Sequence, residues 1–194
     1  ISVQGRREVL LGKGKFGIFG DGKELPQIVM SHFFKKGDYR SGYYRDQTIL
    51  MSQDLLSARE IFAALYGHPD KVYERMSGGR QMSGHFLTNT LDEQGNWIDQ
   101  TKKKNHISDV SPTASQMSRL VGLGLASKIY RNNRVDNSDK FSNNGNEIVW
   151  GTIGNASTSE GVFFEAVNAC GVLQIPAIIS IWDDDYGISV PVSY

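Results

Sequence analysis

EIVWGTIGNASTSEGVFFEAVNACGVLQIPAIISIWDDDYGIS, residues 147–189, contains the pattern that most clearly predicts the fold. Two continuously apolar segments, residues 147–153 and 177–182, are typical of strands that are buried on both faces of a sheet. Between them, residues 158–173 are predicted to form a helix. The sequence therefore predicts a β-α-β unit whose two strands are parallel.

Polar residues follow both predicted strands, at residues 154–157 and 183–186. Parallel neighbours place these two segments at the same edge of the sheet, where ligands bind in open parallel sheets. The helix that starts near Thr158 would point its free N–H groups into this space, which suits an anion. Mg²⁺ prefers hard oxygen ligands and bridges carboxylates to phosphates. The residues therefore predict a Mg²⁺-diphosphate site with Asn155 and Asp184 as ligands.

A simpler interpretation of these residues stays open on composition alone. The three aspartates would then be solvated turn residues, and Asn155 would cap the helix. The spacing favours the metal site, because Asp184 follows Asn155 by 29 positions with one strand, turn, helix and strand between them.

A serine followed three residues later by glutamate marks two predicted helix starts, at Ser57 with Glu60 and at Ser157 with Glu160. The first of these helices ends at Gly67. Its apolar stripe consists of Ile61, Phe62, Leu65 and Tyr66.

A longer helix of roughly five turns is predicted within residues 111–133. Gly122 and Gly124 lower its helix propensity, so we expect another backbone to pack closely there. Apolar residues on one side favour a helix within residues 28–34. The remaining segments are predicted as an N-terminal arm, a polar loop and a mobile surface loop, at residues 1–42, 70–109 and 131–146.

Lys+Arg and Asp+Glu number 21 each, so the formal net charge is zero, which argues against a general nucleic-acid or membrane-surface binder. The single cysteine, Cys170, excludes an intrachain disulfide and fits a reducing cytosol. No apolar run reaches the roughly 20 residues of a membrane span. The chain lacks a starting Met and stops directly after a strand, so we expect a single domain, residues 1–194, in a truncated piece of a longer chain.

Six elements, in the family's order, resemble the alpha part of the E1 component of 2-oxo acid dehydrogenase complexes, which uses the thiamine diphosphate motif. They are GKELPQ (22–27), YYRDQ (43–47), GGRQMSGHF (78–86), SPTASQ (111–116), GNASTSEGVFFEAVNAC (154–170) and DDDYGISVP (183–191). One element alone would be weak, but six in order are highly specific. The wording of YYRD and GRQM resembles the branched-chain enzymes more than the pyruvate enzymes, which remain the alternative.

The resemblance implies a thiamine diphosphate-binding, transketolase-like α/β fold, with a parallel sheet and flanking helices, that is incomplete in this fragment. The implied cofactors are thiamine diphosphate and Mg²⁺, with K⁺ in some family members. The implied activity is oxidative decarboxylation of a branched-chain 2-oxo acid with acyl transfer to lipoyl groups.

The implied partners are a beta-type E1 domain, fused or separate, and a lipoyl-bearing E2 component. A homo-oligomer or heterotetramer-like assembly in the cytoplasm is expected, without nucleic acid or membrane. In this family the activating glutamate lies on the beta part, and a histidine of the alpha part lies beyond residue 194 of this numbering. No catalytic residue is therefore assigned, and the fragment alone is expected to be inactive.

The resemblance assigns contact with the diphosphate to Tyr44 and Arg45, with Arg45 as the charge partner. Asn155, Asp184 and the backbone carbonyl of Tyr186 are expected to bind Mg²⁺. The other expected cofactor-binding residues are Ser111, Thr113, Gly154, Ala156, Ser157 and Gly187. Where family members hold K⁺, the matching positions are Pro112, Ser115 and Gln116. Whether His85 lies near the active-site entrance is left open.

The family usually has an acid at the position of Asn155 and an amide at the position of Asp184, so the two are exchanged here. Ala156 also replaces the usual glycine, a sterically mild change. One carboxylate and one amide oxygen remain, and we interpret the exchange as compensated. The alternatives are a degenerate subunit that only binds a partner, and a Mg²⁺-dependent phosphatase that uses residues 183–185 directly. The following Tyr186 and the late position argue against the phosphatase.

Two further glycine motifs are discounted. GKGKFG (12–17) has the dinucleotide-binding spacing but no helix opens at it, and GDG (20–22) lacks the apolar strand that precedes a thiamine motif.

Overall fold

The computed structural model describes residues 1–81, 84–133 and 135–193, which divide into two compact units. Unit 1 comprises Ile1–Phe33 and Tyr44–Phe86, and unit 2 comprises Phe34–Tyr43 and the described chain from Leu87 onward. Each unit has its own cluster of buried apolar side chains. The expectation that the chain forms a single domain stays a prediction.

The elements of unit 1 are α1 (Ser2–Leu10), α2 (Glu24–Phe33), α3 (Gln47–Met51) and α4 (Ala58–Leu65). The elements of unit 2 are β1 (Tyr39–Tyr43), β2 (Asn105–Val110), α5 (Ser115–Asn132), β3 (Val149–Gly154), α6 (Gly161–Leu173), β4 (Ala177–Trp182), β5 (Tyr186–Gly187) and β6 (Val190–Pro191). None of the described helices is long and apolar enough to cross a membrane.

Strands β1 to β4 form one parallel sheet in the order β2-β1-β3-β4. Because the strands are parallel, their carboxyl ends share one edge of the sheet. Helices α5 and α6 pack on the sheet through a cluster that includes Met117, Ile153 and Ala166. The predicted α/β fold, a parallel sheet with flanking helices, is confirmed.

Strands β1 and β2 lie in segments that the sequence assigned to an arm and to a polar loop, so that part of the prediction was wrong. Their polar side chains are buried because they pair with one another. Arg40 is fully buried and donates from Nη2 to Asp109 Oδ1 at 2.6 Å and from Nε to His106 Nδ1 at 2.9 Å. Burial, and then the charge of Arg40, hold the pKa of His106 well below its usual range. The histidine is therefore a neutral acceptor inside the sheet.

In the part of the chain that the structure describes, β4 is one of the two edge strands of the sheet and is partly exposed, which corrects the expectation that both apolar strands are buried on two faces. Every residue of β3 is buried, but Ile178 and Ile181 of β4 are 41% and 49% exposed. The continuous apolar run predicted the strand correctly, but it did not distinguish a central from an edge position.

At Gly124 the close neighbour is a side chain and not the backbone that was expected, and at Gly122 the expectation of a close approach is wrong. A Cβ at Gly124 would overlap Ile175 Cγ2, whereas a Cβ at Gly122 would meet no atom within 4 Å.

Substitution of each of these two glycines by alanine separates the effect of packing from that of helix propensity. We expect Gly124→Ala to lower the free energy of unfolding by about 1–3 kcal/mol through overpacking. Gly122→Ala should raise it by about 0.5–1 kcal/mol through helix propensity alone. Denaturation of the two variants of the complete protein checks this, and effects of the same sign would contradict the packing argument.

Helix α4 of unit 1 is capped as predicted. Glu60 N donates to Ser57 Oγ, and Ser57 N donates to Glu60 Oε2 at 2.8 Å, which completes the capping box. Gly67 follows the helix with a φ of 65°, which favours glycine. The buried cluster of unit 1 consists of Leu50, Leu56, Ile61 and Phe86.

Regular structure occupies much of residues 1–42, the predicted arm, since they contain α1, α2 and most of β1. Helix α2 includes the predicted helical stretch but begins earlier, at Glu24, and ends before Phe34. Residues 131–146 contain the end of α5 and a 3-10 turn at Ser138–Lys140, and the mobility of this segment stays a prediction.

Candidate metal and diphosphate site

The carboxyl ends of β3 and β4 are level with each other. Gly154 pairs with Trp182, and the next residue, Asn155, donates its backbone N–H to the Trp182 carbonyl at 3.3 Å. Asn155 therefore lies beside the start of the aspartate run that contains Asp184. The parallel pairing predicted from the sequence brings these two segments together at the edge of the sheet.

The turn after β3 differs from the sequence prediction. A 3-10 turn occupies Ala156–Ser159, and α6 begins at Gly161, three residues after the predicted Thr158. Thr158 closes the turn, because its backbone N–H and its Oγ1 donate to the Asn155 carbonyl at 3.0 and 2.6 Å.

The capping box predicted at Ser157 and Glu160 is wrong. Glu160 is itself the N-cap of α6 and makes no side-chain cap hydrogen bond, while Ser157 lies within the 3-10 turn. The Ser-x-x-Glu pattern is the same as that at Ser57, but here the residues before the helix are already hydrogen-bonded in a tighter turn.

The amide of Asn155 is the feature of this turn that suits a ligand. Its Nδ2 atom is buried and has no hydrogen-bond partner among the described residues. An unpaired buried amide costs free energy, which a bound group would recover. A half-turn of the amide about its last bond puts Oδ1 in the same place, where a cation would find an oxygen ligand.

The segment after β4 turns sharply and folds back. Asp185 N donates to Asp183 Oδ1 at 2.9 Å, and Asp185 has a φ of 63°. Asp184, between them, is exposed. Strand β5 then pairs antiparallel with β6.

Gly187 is packed against the turn that follows β3. A Cβ at Gly187 would lie 2.7 Å from Ala156 Cβ, so a larger residue here would push the two segments apart. Tyr186 and Gly187 are thereby held next to the turn that carries Asn155. Their contact with Mg²⁺ or a cofactor stays a prediction.

The start of α5 is anchored to the same strand. Gln116 Nε2 donates to the Thr152 carbonyl of β3 at 2.8 Å, and buried Ala114 belongs to the cluster that contains Ile153. Ser111 and Thr113 precede this anchor and are exposed. Their contact with a cofactor stays a prediction, as does a K⁺ site at Pro112, Ser115 and Gln116.

Tyr44 and Arg45 belong to unit 1. The Arg45 guanidinium lies over the Tyr44 ring, 5.4 Å from its centroid, and both residues are half-buried. Their placement relative to Asn155 and Asp184, which are in unit 2, stays a prediction.

The GGRQMSGHF loop is organised by a residue that the sequence analysis missed. Glu74 is fully buried, and its carboxylate accepts from the backbone N–H groups of Met76, Ser77 and Gly79 at 3.0, 2.8 and 2.9 Å. Burial alone raises the pKa of Glu74, but hydrogen bonds from Gly79, Ser77 and Met76 bring the pKa below its usual value. The sequence signal that could have identified this residue is a glutamate two positions before the turn-forming sequence Met-Ser-Gly-Gly. Met82 and Ser83 of the motif lie outside the described residues, and His85 is half-buried.

Glu74→Gln should loosen this loop. A hydrogen bond to a charged group is worth about 1.5–3 kcal/mol, so we expect tryptic cleavage after Arg80 to accelerate by about 10-fold or more. Glu93→Gln, at an exposed glutamate, is the matched control and should leave cleavage unchanged. Equal cleavage of the two variants would contradict the role of Glu74.

The stability of this loop should depend on pH through the Glu74 carboxylate. Because the folded pKa is lowered, the stabilisation is complete above the ordinary value of about 4.3 and is lost as the pH falls through the folded value. The protection factors of the Met76, Ser77 and Gly79 amides, which correct for the slower intrinsic exchange at low pH, should therefore decrease between pH 5 and pH 3, and constant protection factors would contradict this role of Glu74.

The described part of the chain contains no group of three or more His, Cys, Asp or Glu side chains placed to hold a metal ion. A divalent ion at the sheet edge would therefore depend on amide, backbone and phosphate oxygens beside one carboxylate. Mg²⁺ is usually bound in this way, with one or two carboxylates and the substrate's phosphates. The residues present fit such an ion.

Comparison with known proteins agrees with this fold and these motifs. The model of the dehydrogenase E1 component family matches residues 10–194. The chain is 29% identical over 182 residues to a 2-oxoisovalerate dehydrogenase subunit alpha of Bacillus subtilis (strain 168), covering 93% of this chain and 46% of the relative. It is 25% identical over 182 residues to the mitochondrial 2-oxoisovalerate dehydrogenase subunit alpha of Caenorhabditis elegans, covering 94% of this chain and 35% of the relative. The chain thus spans less than half the length of these relatives, and since the family match runs through both units, it belongs to the dehydrogenase E1 component family.

Proposed function

We propose that this chain is the alpha-type part of a 2-oxo acid dehydrogenase E1 and binds thiamine diphosphate through Mg²⁺. The observation that carries the proposal is the Asn155–Trp182 backbone hydrogen bond, which sets the turn of Asn155, whose buried Nδ2 has no described partner, beside the aspartate run. Family membership supports this class of cofactor, and the binding of ligands at the carboxyl ends of parallel strands supports this position for its diphosphate.

Within this proposal, Mg²⁺ is held by Asn155, Asp184 and the Tyr186 carbonyl. Arg45 balances the negative charge of the diphosphate, since Arg pairs strongly with phosphate oxygens. The remaining contacts are assigned to Tyr44, Ser111, Thr113, Gly154, Ala156, Ser157 and Gly187. A potassium ion at Pro112, Ser115 and Gln116 belongs to the same proposal.

The residues of this chain bind and orient; they do not carry the chemistry. When bound, thiamine diphosphate supplies the carbanion chemistry that releases carbon dioxide from a 2-oxo acid. Asn155 and Asp184 fix the diphosphate end, and Arg45 offsets its charge. No general acid or base is assigned here, so the fragment alone should be inactive and should need a beta-type domain to complete the site.

The proposed substrate is a branched-chain 2-oxo acid, and the proposed acyl acceptor is a lipoyl group of an E2 component. Two relatives named as 2-oxoisovalerate dehydrogenase alpha subunits support the branched-chain assignment. A homo-oligomeric or heterotetramer-like assembly in the cytoplasm completes the proposal.

Turnover of the complete E1 protein with 2-oxoisovalerate and with pyruvate tests the substrate assignment. A hydrophobic pocket gains about 10- to 200-fold for each methylene that it fits, so kcat/KM should favour 2-oxoisovalerate by at least about 10-fold. A preference for pyruvate would make the branched-chain assignment wrong.

The second candidate is a degenerate subunit that keeps the fold and binds only a protein partner. The exchange of acid and amide at Asn155 and Asp184 is the observation that favours it. This candidate predicts that the complete protein binds no thiamine diphosphate with or without Mg²⁺.

A further inference from the structure

A single buried glutamine holds the backbone that carries Arg45. Gln27 of α2 is fully buried, and its Nε2 donates to the Arg45 carbonyl at 3.0 Å. Its Oε1 accepts from the backbone N–H of Ile49 at 3.2 Å. The two polar atoms of this amide thus bind the backbone at Arg45, before α3, and at Ile49, within α3.

A second segment is fitted to the same turn. A Cβ at Gly20 would overlap the Arg45 carbonyl oxygen, so only glycine lets these backbones approach. Gln47 Nε2 donates to the Ile18 carbonyl at 3.0 Å, and Gly20 N donates to Gln47 Oε1 at 3.4 Å. Gly20 is the first residue of the GDG sequence that resembles a thiamine motif. In this structure it packs against the Arg45 backbone.

We propose that Gln27 is a positioning residue for Arg45: it fixes the backbone from which the guanidinium reaches the diphosphate. This inference rests on the proposed function, in which Arg45 is the charge partner of the cofactor. The attraction between a guanidinium and a phosphate weakens as their separation grows, so a displaced Arg45 backbone would lower the affinity for the diphosphate.

Gln27→Glu distinguishes the two hydrogen bonds that the Gln27 side chain makes, one to the Arg45 carbonyl and one from Ile49 N. At a pH at which the introduced glutamate is ionised, its carboxylate still accepts from Ile49 N, but an oxygen replaces the N–H donor that faces the Arg45 carbonyl. In the complete E1 protein with Mg²⁺, we expect the Kd for thiamine diphosphate to rise by about 10-fold or more, with kcat at saturating cofactor nearly unchanged. Gln27→Met, which has similar length and removes both hydrogen bonds, should also raise the Kd and serves if the glutamate variant does not fold.

Met30→Ala is the control for stability. Met30 is buried on the same helix and has no donor to hold the Arg45 carbonyl. Its truncation should lower the melting temperature and leave the Kd for thiamine diphosphate unchanged. A role of Gln27 in stability alone would make the Gln27 and Met30 variants behave alike.

A double-mutant cycle decides whether Gln27 acts through Arg45. If it does, Gln27→Glu adds little to the loss caused by Arg45→Ala, because the group being positioned is gone. Fully multiplicative losses, or an unchanged Kd in folded Gln27→Glu, would overturn the inference while leaving the proposed function in place. If the wild-type protein binds no thiamine diphosphate, the proposed function fails and the inference fails with it.

Discussion

Asp184→Ala in the complete E1 protein should abolish the Mg²⁺-dependent part of thiamine diphosphate binding. Removing only the partner of a metal ligand typically costs about 10- to 100-fold, so loss of the sole carboxylate ligand should weaken binding by at least about 100-fold. The exposed position of Asp184 makes a folding effect small, because the side chain supports no core packing. Calorimetric titration with thiamine diphosphate at fixed Mg²⁺ measures the change.

Substitutions of the exchanged pair, Asn155 and Asp184, give a more specific control than Asp184→Ala alone. Asp184→Asn leaves two amides and no charge for the ion, whereas Asn155→Asp places a second carboxylate beside the first. The double variant, with Asp at 155 and Asn at 184, restores the usual family arrangement and should bind within a few-fold of wild type. A double variant no better than Asp184→Asn would contradict the interpretation of a compensated exchange. Asp139→Ala, in a 3-10 turn of unit 2, should change nothing.

The second large effect concerns stability. Asp109→Ala leaves Arg40 charged, fully buried and without its carboxylate, so we expect the opening free energy of β1 and β2 to fall by about 3–5 kcal/mol. Hydrogen exchange of the amides in these two strands reports the loss locally, whether or not the complete protein unfolds in a single two-state step.

Restoring charge balance gives the matched control for Asp109→Ala. Arg40→Met combined with Asp109→Leu removes both charges and should recover most of the loss, since buried pairs are often replaceable by apolar residues of similar volume. Recovery will be incomplete because His106 Nδ1 loses its donor, Arg40 Nε. A fall below about 1 kcal/mol in Asp109→Ala would contradict the description of Arg40 as a buried, paired charge.

The sequence predicted the elements whose signals are local. The apolar runs identified β3 and β4, and the Ser57–Glu60 spacing identified the start of α4. Strands β1 and β2 were missed because YRSGY and NHISDV contain charged and polar residues that look exposed in sequence. Arg40 and Asp109, 69 positions apart, make each other's burial possible, and no local pattern carries that information.

At the candidate site, too, the sequence predicted the features with local signals and missed those that depend on tertiary contacts. The neighbourhood of Asn155 and the aspartate run followed from parallel strands, which are a simple consequence of the β-α-β pattern. The start of α6 was misplaced because Thr158 bonds back to Asn155 and forms a tighter turn first. Glu74 and Gln27 organise loops through backbone contacts, and a side chain that bonds to backbone leaves little trace in the sequence of its partner.

The metal and diphosphate site can be tested by calorimetric binding of thiamine diphosphate to the complete wild-type E1 protein, with Mg²⁺ and after its removal by a chelator. We expect binding that depends on Mg²⁺ and returns when Mg²⁺ is added back. Binding of equal strength with and without Mg²⁺ would contradict the metal site at Asn155 and Asp184. No binding under either condition would contradict the proposed function itself and favour a subunit that only binds a protein partner.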